Sequence, residues 1–78
     1  MKTEAEWVDE TKRLLRAEMA RRGVTYDELA ERLAEIGVTD TAVNLRNKVA
    51  RGRFSGVFLI QCLTAIGART LRLADGDP

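Results

Sequence analysis

The chain has 78 residues, 45% hydrophobic and 32% charged, which is enough for one modest core, since a chain of this size hides only about 60% of its surface on folding. No apolar run approaches the roughly 18 residues of a membrane span, the single cysteine cannot form an internal disulfide, and the absence of histidine removes the commonest general base and zinc ligand. Thirteen Lys and Arg against twelve Asp and Glu leave a net charge of +1, which excludes a generic polycation that coats nucleic acid by bulk charge.

The predicted elements are punctuated by Gly23, Gly37, Gly52 and Gly67, each following a stretch with helical apolar spacing, where a left-handed helix end is expected. Met1-Lys2-Thr3 opens the chain without the apolar stretch of a signal peptide, so a cytoplasmic location is expected. Thr3 and Glu6 form a capping box before the first helix, predicted over about 4–22. Val8, Leu15 and Met19 share its inner side with Leu14 and Trp7 flanking, and Trp7 is expected to anchor the helix to the core. Arg21-Arg22 at its end suit either the negative pole of the helix dipole or a phosphate.

A second capping box, Thr25 with Glu28, opens the helix predicted over about 26–36, with Val24 and Leu29 as its hydrophobic staple. Tyr26, Leu29, Ala30, Leu33 and Ile36 form its apolar stripe. Val38-Thr39 repeats the start signal for a third helix over about 40–51, Val38 stapling Val43 and Ala42, Leu45 and Val49 turning inward. Ser55 caps the fourth, about 56–66, with Phe54 stapling Leu59. That helix is apolar almost all round, at Val57, Phe58, Leu59, Ile60, Cys62, Leu63 and Ile66, so part of it is expected to face a partner, as in a homodimer through helix 4 or residues 70–73. Cys62 reads as a small core hydrophobe. In the tail, 68–78, Thr70-Leu71-Arg72-Leu73 alternates like a brief strand. The expected architecture is all-α: one compact four-helix domain over 1–78.

Charge resolved along the chain carries the functional signal. Residues 1–40 hold seven basic and ten acidic side chains, net −3, and residues 41–78 six basic and two acidic, net +4. Arg46, Lys48, Arg51 and Arg53 cluster in and just after helix 3, and no acid occurs between Thr41 and Ala74. Thr41, Asn44, Asn47, Lys48 and Arg51 recur at spacings of three and four and share one face. Asn can pair with adenine and Arg or Lys with guanine or phosphate, and an acid on such a face would be repelled by DNA. Two helices joined by a glycine turn, the second exposing such a face, make a helix-turn-helix unit from helices 2 and 3.

At these residues the chain resembles phage-repressor and Cro-type DNA-binding domains. Thr25-Tyr26-Asp27-Glu28-Leu29-Ala30-Glu31-Arg32-Leu33 looks like the opening of their helix-turn-helix, Leu45 to Gly52 like the end of the recognition helix, and Phe54-Ser55 through Ile66-Gly67 like the following core helix. The whole arrangement also resembles a small uncharacterised bacterial family of this type, running from a Trp-containing first helix to a Leu-Arg-Leu ending. Two departures stand out: Tyr26 occupies the place of the usual Gln, and Leu29 to Gly52 is longer than the repressor spacing.

The resemblance implies a lambda-repressor-like fold and a dimeric, sequence-specific transcriptional regulator of double-stranded DNA. Helix 3 is then expected in the major groove, with Thr41, Asn44, Asn47 and Lys48 toward bases. Thr25, Tyr26, Thr39, Arg46, Arg51 and Arg53 are expected at phosphates, favoured by free amides at the amino ends of the helices. The competing expectation is a protein-interaction module on the same fold, antitoxin-like, adaptor or polymerase-associated, to which the acidic surface of helix 2 (Asp27, Glu28, Glu31, Glu35) speaks. No cofactor, metal site or catalytic residue is expected, because neither a nucleophile with its base nor a metal-ligand spacing is present.

Overall fold

Caps and apolar spacing translate into four α-helices in the computed structural model, which describes residues 1–73: α1 (Glu4–Arg21), α2 (Tyr26–Glu35), α3 (Ala42–Arg51) and α4 (Gly56–Ala65). Thr3 and Thr25 form reciprocal capping boxes with Glu6 and Glu28, and Ser55 Oγ accepts the Phe58 amide at 3.0 Å. The four glycines that follow the helices all have positive φ, and α2 closes with the Val38 amide donating to Leu33 O at 2.9 Å.

That closure moves the start of α3. Val38 is still engaged in ending α2, so the chain cannot begin a new helix at Thr39, and the N-cap is Thr41, whose hydroxyl accepts the Asn44 amide at 3.1 Å. The expected cap at Thr39 and the Val38–Val43 staple are therefore corrected: Thr39 lies exposed in the connection and Val43 is 61% exposed. The connection between α2 and α3, residues 36–41, exceeds the roughly three to four residues of a helix-turn-helix turn.

α1 and α2 each pack against both α3 and α4. The core is Leu15 and Met19 from α1, Val24 before α2, Leu29 and Leu33 from α2, Leu45 and Val49 from α3, and Phe58, Cys62, Leu63 and Ile66 from the last helix and its end. Ile36, expected in the stripe of helix 2, is exposed at its C-cap. Trp7 is 55% exposed with the Lys2 ammonium 4.6 Å from its ring centre, so it does not anchor α1. Leu15 and Met19 hold α1 to the core, and its buried Glu18 pairs within the helix end, with Arg22 at 2.6 Å and Arg21 at 3.1 Å. Those two arginines thereby close the end of their own helix.

The end of α3 is finished by α1. Gly52 is buried at φ +71°, close against Val8, and Lys12 Nζ donates to Ala50 O at 3.3 Å, satisfying a carbonyl the helix leaves open. This contact fixes the tilt of α3 relative to α1. Among the described residues there is no strand: residues 70–73 run irregularly, with Leu71 packed on the core. The remainder of the expected tail, 74–78, lies outside the described residues. No described helix is long and apolar enough to cross a membrane.

Candidate nucleic-acid interface

The buried side of α3 is the Leu45–Val49 seam, with Ala42 half-buried beside it. Helical periodicity then turns Asn47 directly away from the core, with Val43 and Ala50 to one side of it and Asn44 and Arg51 to the other. All of these are exposed. Thr41 stands at the head of the same surface; its oxygen accepts the Asn44 amide, and its own hydroxyl proton remains free to donate outward.

Cations flank this face on both edges. On one, the Arg46 guanidinium sits 5.3 Å from the centre of the Tyr26 ring, tying α3 to the amino end of α2. Arg46 and Tyr26 line a surface groove with Arg16 of α1, a cation that sequence order had placed far from helix 3. On the other edge, Lys48, Arg51, Arg53, Phe54, Ser55 and Phe58 line a groove of about 210 Å³ at the α3–α4 junction. Arg46 and Arg51 have no carboxylate partner among the described residues. Arg53 meets Glu4 at 3.1 Å, an exposed pair that water and salt weaken.

Three expected contacts are placed differently. Thr25 spends its hydroxyl and its amide on Glu28, the hydroxyl accepting Glu28 N at 3.1 Å and donating to Glu28 Oε1 at 3.1 Å, so its side chain is occupied as a cap. Thr39 stands two residues before the cap of α3, not at the helix end. Lys48 turns back along its helix to Asp40, 2.7 Å away, and across the Phe58 ring at 5.1 Å. The acid-free stretch read along the chain is thus closed in space by Asp40, which lies just before it. The hydrogen bond from Lys48 holds the Asp40 carboxyl below the ordinary aspartate value, helped by the Thr41 amide at 2.8 Å.

Val43 and Ala50 are the surface residues that sequence reasoning missed. The signal was there: counted from Leu45 and Val49, Val43 falls on the outer side, and only the misplaced cap drew it inward. Apolar side chains on such a face can meet a thymine methyl group. Behind α3, Cys62 is fully buried and burial pushes its thiol up to about 12, which leaves it protonated at neutral pH.

Residues 7–71 match the family described as "Domain of unknown function (DUF6471)", and the chain belongs to that family. No curated protein matches the chain. No solved structure matches it either.

Proposed function

We propose that the chain binds double-stranded DNA, with α3 laid in the major groove as the second helix of a helix-turn-helix-like pair with α2, and that it acts as a dimeric transcriptional regulator. The observation that supports this reading is the layout of α3: two exposed amides, Asn44 and Asn47, at its centre and cations along both of its edges. A B-DNA major groove presents base edges at its floor and a phosphate backbone on each side, and it is wide enough to admit one helix. Asn47, with no side-chain hydrogen bond among the described residues, has both its donor and its acceptor available for an adenine edge. Thr41 and Asn44 extend the same row, and Val43 adds an apolar contact. Arg46 beside Tyr26 would meet one backbone and Arg51 with Arg53 the other.

Dimerisation belongs to the same reading. Val57 and Ile60 stand one turn apart on α4, 67% and 62% exposed, on a helix without any charged residue. A second copy meeting this surface would set two α3 helices toward half-sites roughly 34 Å apart.

Selection of bound sequences from a random duplex pool, followed by titration at several salt concentrations, tests the proposal. A palindromic consensus with a log–log salt slope of about −2.5 to −3 per subunit supports it, as three arginines on phosphates would give. A flat salt response with no enriched sequence overturns it. The acidic surface of α2, where Glu28, Glu31 and Glu35 line one groove with Arg32, favours a second reading, a protein-interaction module. A stable protein complex that forms without any DNA preference would favour that one.

A further inference from the structure

Among the described residues Lys48 differs from Arg46 and Arg51 in having a carboxylate partner, and from Arg53, whose pair with Glu4 is exposed on both sides, in that its acid is largely buried. Its ammonium is 2.7 Å from Asp40 Oδ2, and the Asp40 side chain is only 11% exposed. The other carboxylate oxygen accepts the Thr41 amide at 2.8 Å, so the acid is fixed to the cap of the same helix. The lysine is held from a second side by the face of Phe58, 5.1 Å from ammonium to ring centre, where a cation is attracted by the ring quadrupole. Lys48 is therefore pinned along the seam between α3 and α4, between an acid anchored by backbone and an aromatic ring.

On a DNA-binding surface the consequence is specific. A free lysine at the rim of a recognition helix finds a phosphate on any duplex, and such contacts carry affinity without sequence information. We propose that Asp40 limits sequence-independent binding by sequestering Lys48, keeping this cation out of the phosphate count while Arg46, Arg51 and Arg53 remain in it. Asp40 is thus a positioning residue, acting on the salt dependence through Lys48 while its carboxylate also meets the Asn44 side chain, and the inference rests on the DNA-binding reading above.

The test is binding of a short random-sequence duplex, by fluorescence anisotropy over a fourfold range of salt, with the wild-type chain, Asp40→Asn, Lys48→Met and the double variant. Asp40→Asn is expected to steepen the log–log slope by about 0.9, an extra three- to fourfold loss of affinity across that range. Lys48→Met retains the stem over Phe58 but leaves the Asp40 carboxylate unpaired, so it serves only as the parent of the double variant. The double variant returns to the wild-type slope, which a general loosening of α3 would not do. An Asp40→Asn chain that stays helical by circular dichroism with an unchanged slope overturns the inference, as does a double variant whose slope stays as steep as that of Asp40→Asn. Should Asp40→Asn fail to fold, Asp40→Ser, whose hydroxyl can still accept the Thr41 amide, takes its place with the same expected slope. A wild-type chain that binds no duplex even at the lowest salt removes the DNA-binding reading and this inference with it. Wild-type binding with the wrong variant slopes removes only the inference.

Discussion

Gly52 and Val8 meet more closely than any other residue pair of their kinds could: a methyl group built on Gly52 would stand 2.7 Å from Val8 Cγ1 and 2.8 Å from the Val8 carbonyl oxygen. The backbone at Gly52 is also left-handed, with φ +71°. Sterics and conformation both demand glycine here, and the contact sets how α3 leans on α1. Gly52→Ala is expected to cost about 2–4 kcal/mol from the combined strain and overpacking. Thermal unfolding followed by circular dichroism should show the midpoint lowered by about 10 °C or more. Gly23→Ala, where the same methyl meets open space, is the control and should cost only about 1–2 kcal/mol.

Cys62 gives a pH prediction. Burial raises its thiol to about 12, above the roughly 8.5 of an unfolded cysteine. A group whose folded value is raised contributes stability in full below the unfolded value and loses it as pH rises toward the folded one. The stability contributed by the protonated thiol should therefore decline from about pH 8.5 upward, and Cys62→Ala should abolish that part of the alkaline loss. In an Ellman titration at pH 8 the native chain should react only as fast as it unfolds, and one thiol per chain should appear at once in denaturant.

Asn47 and Arg51 are neighbours on one surface with different assignments, and their variants should separate. Asn47→Ala is expected to weaken the selected duplex by about 1–3 kcal/mol and to relax the preference at one base pair. Its salt slope should not change. Arg51→Ala should weaken all duplexes alike and make the slope shallower by about 0.9. A uniform loss in both variants would show that the amide reads no base.

The α4 surface predicts an assembly variant. Ile60→Glu places a charge on an exposed apolar position without touching the core, so the helical content and the melting of the monomer should hold. Sedimentation equilibrium should shift from dimer to monomer, and affinity for a two-half-site duplex should fall while affinity for a single half-site is retained.

The sequence made the stacking of elements legible because short-range chemistry decides it. The Thr3–Glu6 and Thr25–Glu28 boxes, the Ser55 cap and the helix-ending glycines act within one turn of chain, and all formed as read. What escaped were relations set by several neighbours at once. Thr39 and Thr41 are equally good caps in isolation, and the choice between them fell to Val38, still closing α2. Trp7 has the side chain of a core anchor, but its position on α1 leaves more than half of it exposed, beside Lys2. The charge segregation along the chain survives only in part in space, because Asp40 and Glu4 fold back onto Lys48 and Arg53. Arg16 moves the other way and joins the cations around α3 from a distant part of the chain.

The helix starts divide into two kinds. α1 and α2 begin with reciprocal boxes completed by Glu6 and Glu28, whereas the third residues of α3 and α4 are Asn44 and Phe58, and neither helix has an acid in its first turn. A glutamate at position 44 would complete the missing box and make α3 a better helix on its own account. It would also set a negative charge where the proposed ligand is an anion. On the proposed reading the chain forgoes a gain in folding at the place where that gain would repel the ligand, and drift toward a sturdier α3 at this position would be drift away from binding.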